Sequence, residues 1–197
     1  MASSANAAQS FRIAYTHPQA VSSLAKHLLA ALHNCQHKRQ IVCICIGTDR
    51  STGDSLGPLV GSKLDRLKLN GLTVFGTLDH PVHAVNLQDT LRLIALEYQE
   101  TTVIAIDACL GQLSSVGNVQ LGVGPLKPGA GVNKKLPEVG HLHITGIVNV
   151  GGFMEYIVLQ NTRLSTVVKM ADTIASSLFL SIARLRDRRY TNEFPPL

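Results

Sequence analysis

A three-layer α/β domain, with a mostly parallel sheet and helices on both faces, is the architecture this sequence predicts. Two observations carry the prediction. Apolar patterns of strand type and helix type alternate along the chain, and such alternation implies right-handed crossovers and a parallel sheet. The run Ile41, Val42, Cys43, Ile44, Cys45, Ile46 is apolar at every position, as a strand buried on both faces must be.

The elements follow in order. Residues 21–32 carry apolar side chains at helical spacing, with His and Lys on the other face, and predict an amphipathic opening helix. The strand at 41–46 runs into a polar glycine-rich loop over 47–53, and Asp54 and Ser55 then precede the periodic Leu56, Leu59, Val60, Leu64 and Leu67. That is a cap followed by a helix, with Pro58 tolerated in its first turn. The unit repeats as a strand over 72–78, a loop over 79–83, a helix over 84–98 and an apolar strand over 102–106. Asn118–Val123 reads as an antiparallel edge strand, 124–140 as a long loop, and 143–150 as a strand ending at Gly151 and Gly152. Residues 153–160 and 164–186 read as helices, the second long and apolar enough to cover one face of the sheet.

At 197 residues and 45% hydrophobic content the chain suffices for one domain with a substantial core. Residues 18–190 are expected to form it, with 1–17 as a flexible N-terminal tail and 191–197 as a C-terminal tail. Residues 1–10 lack the basic start and apolar stretch of a secretory leader. No apolar run nears the roughly 18 residues of a membrane span, so no membrane association is expected. Cys35, Cys43, Cys45 and Cys109 show no CxxC spacing, and Cys43 and Cys45 alternate on a buried strand, which suits reduced thiols in the cytoplasm. The net charge of +5 concentrates at Lys134, Lys135 and residues 184–189 without interleaved aromatics, which argues against a nucleic-acid partner.

In open parallel sheets ligands bind beyond the carboxyl ends of the strands, and two acidic residues fall there independently. Asp54 follows the 41–46 strand through its loop, and Asp107 comes directly after the 102–106 strand. If those strands are neighbours, both carboxylates face one crevice, where a like-charged pair holding one proton can activate a water. The bland alternatives are a helix cap for Asp54 and a turn for Asp107. Asp49, in the same loop, reads as a solvated charge. His80 and His83, and His141 and His143, form short-spaced pairs near strand ends, and two His with two Asp would serve zinc or nickel. His83 is the best placed of the four. Cys109 beside His83 offers a thiolate nucleophile, with an inert buried thiol as the plainer reading. The 47–57 loop matches neither GxxxxGK[ST] nor GxGxxG, and its aspartates would repel phosphate.

Four segments built around these residues are GTDRSTGDSLGPLVGS (47–62), GTLDHPVHAVNL (76–87), IDACLG (106–111) and ITGIVNVGGFMEYIVLQNTRL (144–164). Together they resemble the YyaC-type proteins of endospore-forming bacteria, a family of unknown function described as candidate spore proteases. That family is similar in turn to the germination protease and, more distantly, to the hydrogenase-maturation endopeptidases. The resemblance implies a phosphorylase/hydrolase-like fold, a spore-associated location in the cytoplasm and a protein or peptide substrate. In the germination protease an essential Asp precedes Ala-Leu-Gly-Pro, which Asp54 before Ser55-Leu56-Gly57-Pro58 resembles. A second essential Asp stands before Ala, as Asp107 does before Ala108. The hydrogenase-maturation enzymes place acidic residues at the same two positions and add a His to grip nickel, for which no His here is a match.

The resulting expectation is a two-aspartate endopeptidase of sporulating cells. Asp54 and Asp107 are catalytic, His83, Asp49 and Asn149 support them, and no cofactor is required. A divalent nickel or zinc, if one binds, would sit on His83, Asp54 and Asp107. Two alternatives stand beside it. One is a thiol hydrolase using Cys109 and His83; the other is a non-catalytic peptide-binding protein in which Thr145, Asn149 and the Gly151-Gly152 turn contact peptide. Apolar residues of the last helix would serve either a homodimer or cover of the sheet.

Overall fold

The computed structural model describes residues 10–35, 40–129 and 136–187. Among them, β1 (Phe11–Ala14), β2 (Gln40–Cys45), β3 (Leu72–Phe75), β4 (Thr101–Gly111), β5 (Asn118–Val123) and β6 (Leu142–Val150) form one mixed sheet. Its spatial order is β1-β5-β6-β4-β2-β3. β6, β4, β2 and β3 pair in parallel, while β5 runs antiparallel to both neighbours. The helices are α1 (Ala20–Asn34), α2 (Leu56–Leu67), α3 (Leu87–Glu97), α4 (Glu155–Gln160) and α5 (Leu164–Arg186).

Strand alternation divides the core in two. On one face Ile41, Cys43, Cys45, Ile104, Ile106 and Ile144 meet Leu24 and Leu28 of α1, Val60 and Leu64 of α2, and Met170, Ile174 and Leu178 of α5. On the other, Val42, Ile44 and Ala105 pack with Leu87 and Ile94 of α3 and with Val139. Each fully buried Leu or Ile contributes about 1.5–3 kcal/mol. The apolar stripe of α5 is taken up by the sheet and by α1, where Ser177 and Ser181 donate to the carbonyls of Val21 and Ala25 at 3.1 and 3.0 Å. Cover of the sheet is thus the use the fold makes of it.

Several expectations change, and the strand expected over 72–78 ends at Phe75. Phe11–Ala14 is no tail: it adds to the sheet beside β5, so β5 is an inner strand and β1 the edge. Its alternation of Phe11 and Ile13 with Arg12 is too short to stand out as a strand, and pairing alone reveals it. β4 continues past residue 106 to Gly111, because the nine-residue β6 pairs with it as far as Gly111, through a register shift between Cys109 and Leu110. α3 starts at Leu87 because residues 83–86 are taken up in the turn that opens it. α4 starts at Glu155 because Met154 takes a left-handed φ of 51°. The 124–140 loop is clasped at its base by reciprocal backbone bonds between Leu126 and Val139, 2.7 and 2.9 Å. The expected tail at 191–197 and the charges of Lys134 and Lys135 lie outside the described residues.

Burial holds the Cys43 thiol up to about 12, and Cys45 is raised well above its ordinary value by burial and then by Cys43. Neither is a nucleophile. In the native protein at pH 8 we expect both to resist alkylation, while a denatured sample labels all four cysteines. Peptide mapping after iodoacetamide treatment checks this.

Candidate active site

Asp54 is positioned by the backbone that leaves β2. Ile46 N–H donates to the Ile106 carbonyl at 2.7 Å, the last contact with β4, and the chain turns away at Gly47, whose φ is 141°. A Cβ at Gly47 would strike the carbonyl of Asp54, so only glycine lets the two backbones approach so closely. Thr48 N–H donates to that same carbonyl at 3.2 Å. The loop thus folds back and fixes Asp54 in the short 3-10 turn Gly53–Ser55, just ahead of α2. Ser55, not Asp54, flanks the first residue of α2.

Asp107 lies inside β4, one residue beyond Ile106, on the side chain face that also carries Ala105. β2 and β4 are direct parallel neighbours, the arrangement that the crevice required. Asp54 and Asp107 line one small crevice of about 90 Å³ together with Ala108, Cys109, Leu110, Leu126, Lys127, Gly129, Thr145 and Leu159. That volume has room for a water between the side chains. Asp107 is only 7% exposed, and its carboxyl is raised well above the usual carboxylate range, first by burial and then by the charge of Asp54. The Ala108 N–H donates to Asp107 Oδ1 at 2.8 Å and opposes the shift without reversing it.

The sign of the consequence is fixed by linkage. A carboxyl whose folded pKa lies above its unfolded value near 3.9 makes the native state bind more protons, so stability falls as pH rises between the two. Asp107→Asn removes that penalty. We expect the variant to be more stable than wild type at pH 7–8, by about 2–4 °C in Tm per kcal/mol regained in a chain of this size. The gain should vanish below pH 4. Differential scanning calorimetry across pH reads it directly.

The other sequence candidates are dispersed. Asp49 is exposed, touched by Thr48 Oγ1 at 3.5 Å, as a solvated loop charge would be. His83 does not line the crevice: its backbone N–H donates to Asn86 Oδ1 at 2.8 Å, and its Nδ1 accepts from Val85 N–H at 3.3 Å in the turn that opens α3. His80, exposed, sits in the same segment. His141 and His143 are not at the same sheet end as the aspartates. His141 precedes β6 and its Nδ1 accepts from Val103 N–H at 3.0 Å, while His143 Nδ1 lies 2.9 Å from the Gly124 carbonyl. Spacing in sequence could not show that 141 and 143 enter their strand at its amino end.

Asn149 acts one step back from the crevice. Its Nδ2 donates to the Val158 carbonyl at 3.3 Å and to Thr162 Oγ1 at 3.2 Å, tying β6 to α4, whose Leu159 lines the crevice. Thr145 lines it directly and pairs with Asp107 across the strands. Cys109 shares the crevice, but burial pushes its thiol up to about 11, and a hydrogen bond from Thr145 does not offset that. With His83 elsewhere, no histidine among the described residues lines the crevice as its base.

Among the described residues no three His, Cys, Asp or Glu side chains converge as metal ligands, and His83 does not join Asp54 and Asp107. A larger depression of about 360 Å³, bounded by Leu91, Ile94, Tyr98, Val103 and His141, lies at the opposite, amino end of β4 and β6 and holds no carboxylate pair.

Residues 12–177 match the model of a protein family described as "Protein of unknown function (DUF1256)". The chain belongs to this family. A DUF1256 relative is the "Uncharacterized protein YyaC" of Bacillus subtilis (strain 168), 55% identical over 169 residues that make up 86% of this chain and 82% of the relative. The DUF1256 span runs from β1 into α5 and contains every residue of the crevice.

Proposed function

We propose that this protein is a two-aspartate endopeptidase of phosphorylase/hydrolase-like fold, acting in the cytoplasm of sporulating cells. The observation that carries the reading is the shared crevice of Asp54 and Asp107, with Asp107 buried and its carboxyl raised well above the usual carboxylate range by burial and by the charge of Asp54. In such a pair the more exposed Asp54 accepts a proton from a water placed between them, and Asp107 donates its proton to the carbonyl oxygen or leaving amine. The water's oxygen bonds to the carbonyl carbon, the C–N bond breaks, and the proton taken by Asp54 returns to the pair. The resemblance of the Asp54-Ser55-Leu56-Gly57-Pro58 and Asp107-Ala108 contexts to the germination protease supports peptide as the substrate.

The surroundings suit a polypeptide. Phe153, Met154, Tyr156 and Ile157 are exposed on the segment that brings Leu159 to the crevice, an apolar stretch of surface.

The test is incubation of wild type, Asp54→Asn and Asp107→Asn with a panel of small acid-soluble spore proteins, with and without chelator, read by mass spectrometry. Cleavage by wild type alone, unchanged by chelator, is the expected result; equal cleavage by all three proteins would overturn the reading. Cys109→Ala should cleave like wild type, and loss of activity in it would favour the thiol mechanism instead. Binding of a spore protein with no cleavage would make the protein a peptide-binding module.

A further inference from the structure

The crevice opens onto a polar row that crosses four strands. Asp107 on β4 is in register with Thr145 on β6, Thr145 with Gln120 on β5, and Gln120 with Arg12 on β1. All four stand on the sheet face opposite α1 and α5, since Val119 and Leu121, which flank Gln120, belong to the core on the other side. β1 is the edge of the sheet. Burial accordingly falls along the row: Asp107 and Thr145 are buried, Gln120 is half-buried and Arg12 is exposed.

Arg12 is held in place without being neutralised. Its Nη2 donates to Gln120 Oε1 at 3.1 Å and its Nη1 to Ser115 Oγ at 3.5 Å, so the side chain leans inward along the row. Its charge reaches Cys109 in the crevice. Lys127, the other cation beside the crevice, is paired with Glu138 at 3.3 Å. Among the described residues Arg12 has no carboxylate partner. A guanidinium held by two neutral side chains keeps its remaining donors for a planar anion, which it binds as a fork.

We propose that Arg12 and Gln120 form a carboxylate-binding subsite that selects peptides with an acidic group close to the bond placed at Asp54 and Asp107. The inference rests on the reading of the crevice as a peptide site and names its substrate class. Three strand spacings separate the Arg12 and Asp107 backbones, about 14 Å, which bounds the gap at roughly four residues of extended chain. The acidic group is either an Asp or Glu side chain or the peptide's terminal carboxylate.

The experiment uses a degenerate dodecapeptide library in two pools, with free and with amidated C-termini, offered to wild type, Arg12→Lys and Arg12→Glu. Cleaved and retained peptides are both sequenced by mass spectrometry. We expect wild type to enrich Asp or Glu at one position within four residues of the cut. Arg12→Glu should lose that preference, gain Lys or Arg there, and raise KM for an acidic peptide by roughly ten- to a hundredfold with kcat little changed. Arg12→Lys should keep the preference in weaker form. Enrichment in the free pool that vanishes on amidation assigns the terminal carboxylate; enrichment in both pools assigns the side chain.

Acidic enrichment among retained peptides without cleavage would uphold the subsite and overturn the protease. Cleavage with no acidic preference, or with one that Arg12→Glu leaves intact, would overturn the subsite and uphold the protease. Neither retention nor cleavage would overturn both. Exposure of Arg12 on an edge strand makes the substitutions compatible with folding, and the reversed preference of Arg12→Glu is a readout that mere loosening of β1 would not produce.

Discussion

Asp107→Asn and Asp54→Asn are each expected to lower kcat for peptide cleavage by roughly a hundred- to ten-thousand-fold, the range that a positioned acid or base supplies. The two variants should fail for different reasons. Asn at 107 keeps the shape of the side chain but brings no acidic proton to the leaving amine. Asn at 54 removes the group that takes a proton from water, and it also removes the charge that helps to raise Asp107. In Asp54→Asn the Asp107 carboxyl should therefore titrate at lower pH than in wild type, with burial alone still holding it up.

Wild-type activity should follow a bell in pH, and its two limbs belong to the pair rather than to either residue. The alkaline limb marks loss of the proton that burial and Asp54 keep on Asp107, so it should lie well above the ordinary carboxylate range. Stopped-assay pH profiles of wild type and both variants, with the fold of each checked by circular dichroism, decide the matter. Retained activity in either variant with a native spectrum would remove that carboxylate from the chemistry. Because Asp107→Asn should also be the more stable protein at neutral pH, a loss of activity there could not be ascribed to unfolding.

Gly57→Ala is expected to be a severely damaging single-methyl change near the site. In an exposed helix this substitution would stabilise by about 1 kcal/mol. Here the added Cβ would run into the backbone of Ile46, with the carbonyl oxygen, carbonyl carbon and amide nitrogen all in its way. No rotamer relieves contact with main chain, so α2 must move off β2. The cost should reach or exceed the upper end of the roughly 1–3 kcal/mol that overpacking brings, a fall in Tm of about 6–12 °C or failure to fold. The shift would also carry Asp54, three residues before Gly57, away from Asp107, so whatever variant protein folds should cleave poorly. Gly124→Ala is the control on the same scale. Its φ of 102° strains the backbone, but no atom lies within 4 Å of the new methyl, so only the conformational cost should appear. Equal Tm values for Gly57→Ala and wild type would show that α2 has slack against β2.

The alternation of strand and helix patterns was enough to settle an α/β sandwich and to bring two carboxylates toward one end of the sheet, because burial writes a period into the chain wherever an element is long. β2 reads plainly since every residue from Ile41 to Cys45 is buried, which requires cover on both faces. Asp54 reads plainly since a glycine-rich loop between a buried strand and a helix leaves few other places for a carboxylate to act.

What depended on partners was invisible. β1 is four residues long and is a strand only because β5 accepts it. β4 outruns its apolar stretch because β6 supplies hydrogen bonds as far as Gly111, so Asp107 proves to be a strand residue, sharing its crevice with Leu126, Lys127 and Gly129, and not a turn. The two short-spaced histidine pairs were sent to different ends of the sheet by strand direction, which a local pattern does not encode. The row from Asp107 to Arg12 joins residues 95 positions apart through three registers, each fixed by backbone hydrogen bonding between strands. Sequence alone determined the layers and the acidic pair, through side-chain burial; the tertiary structure alone decided what stands beside that pair, because register is a property of two strands and is written in neither.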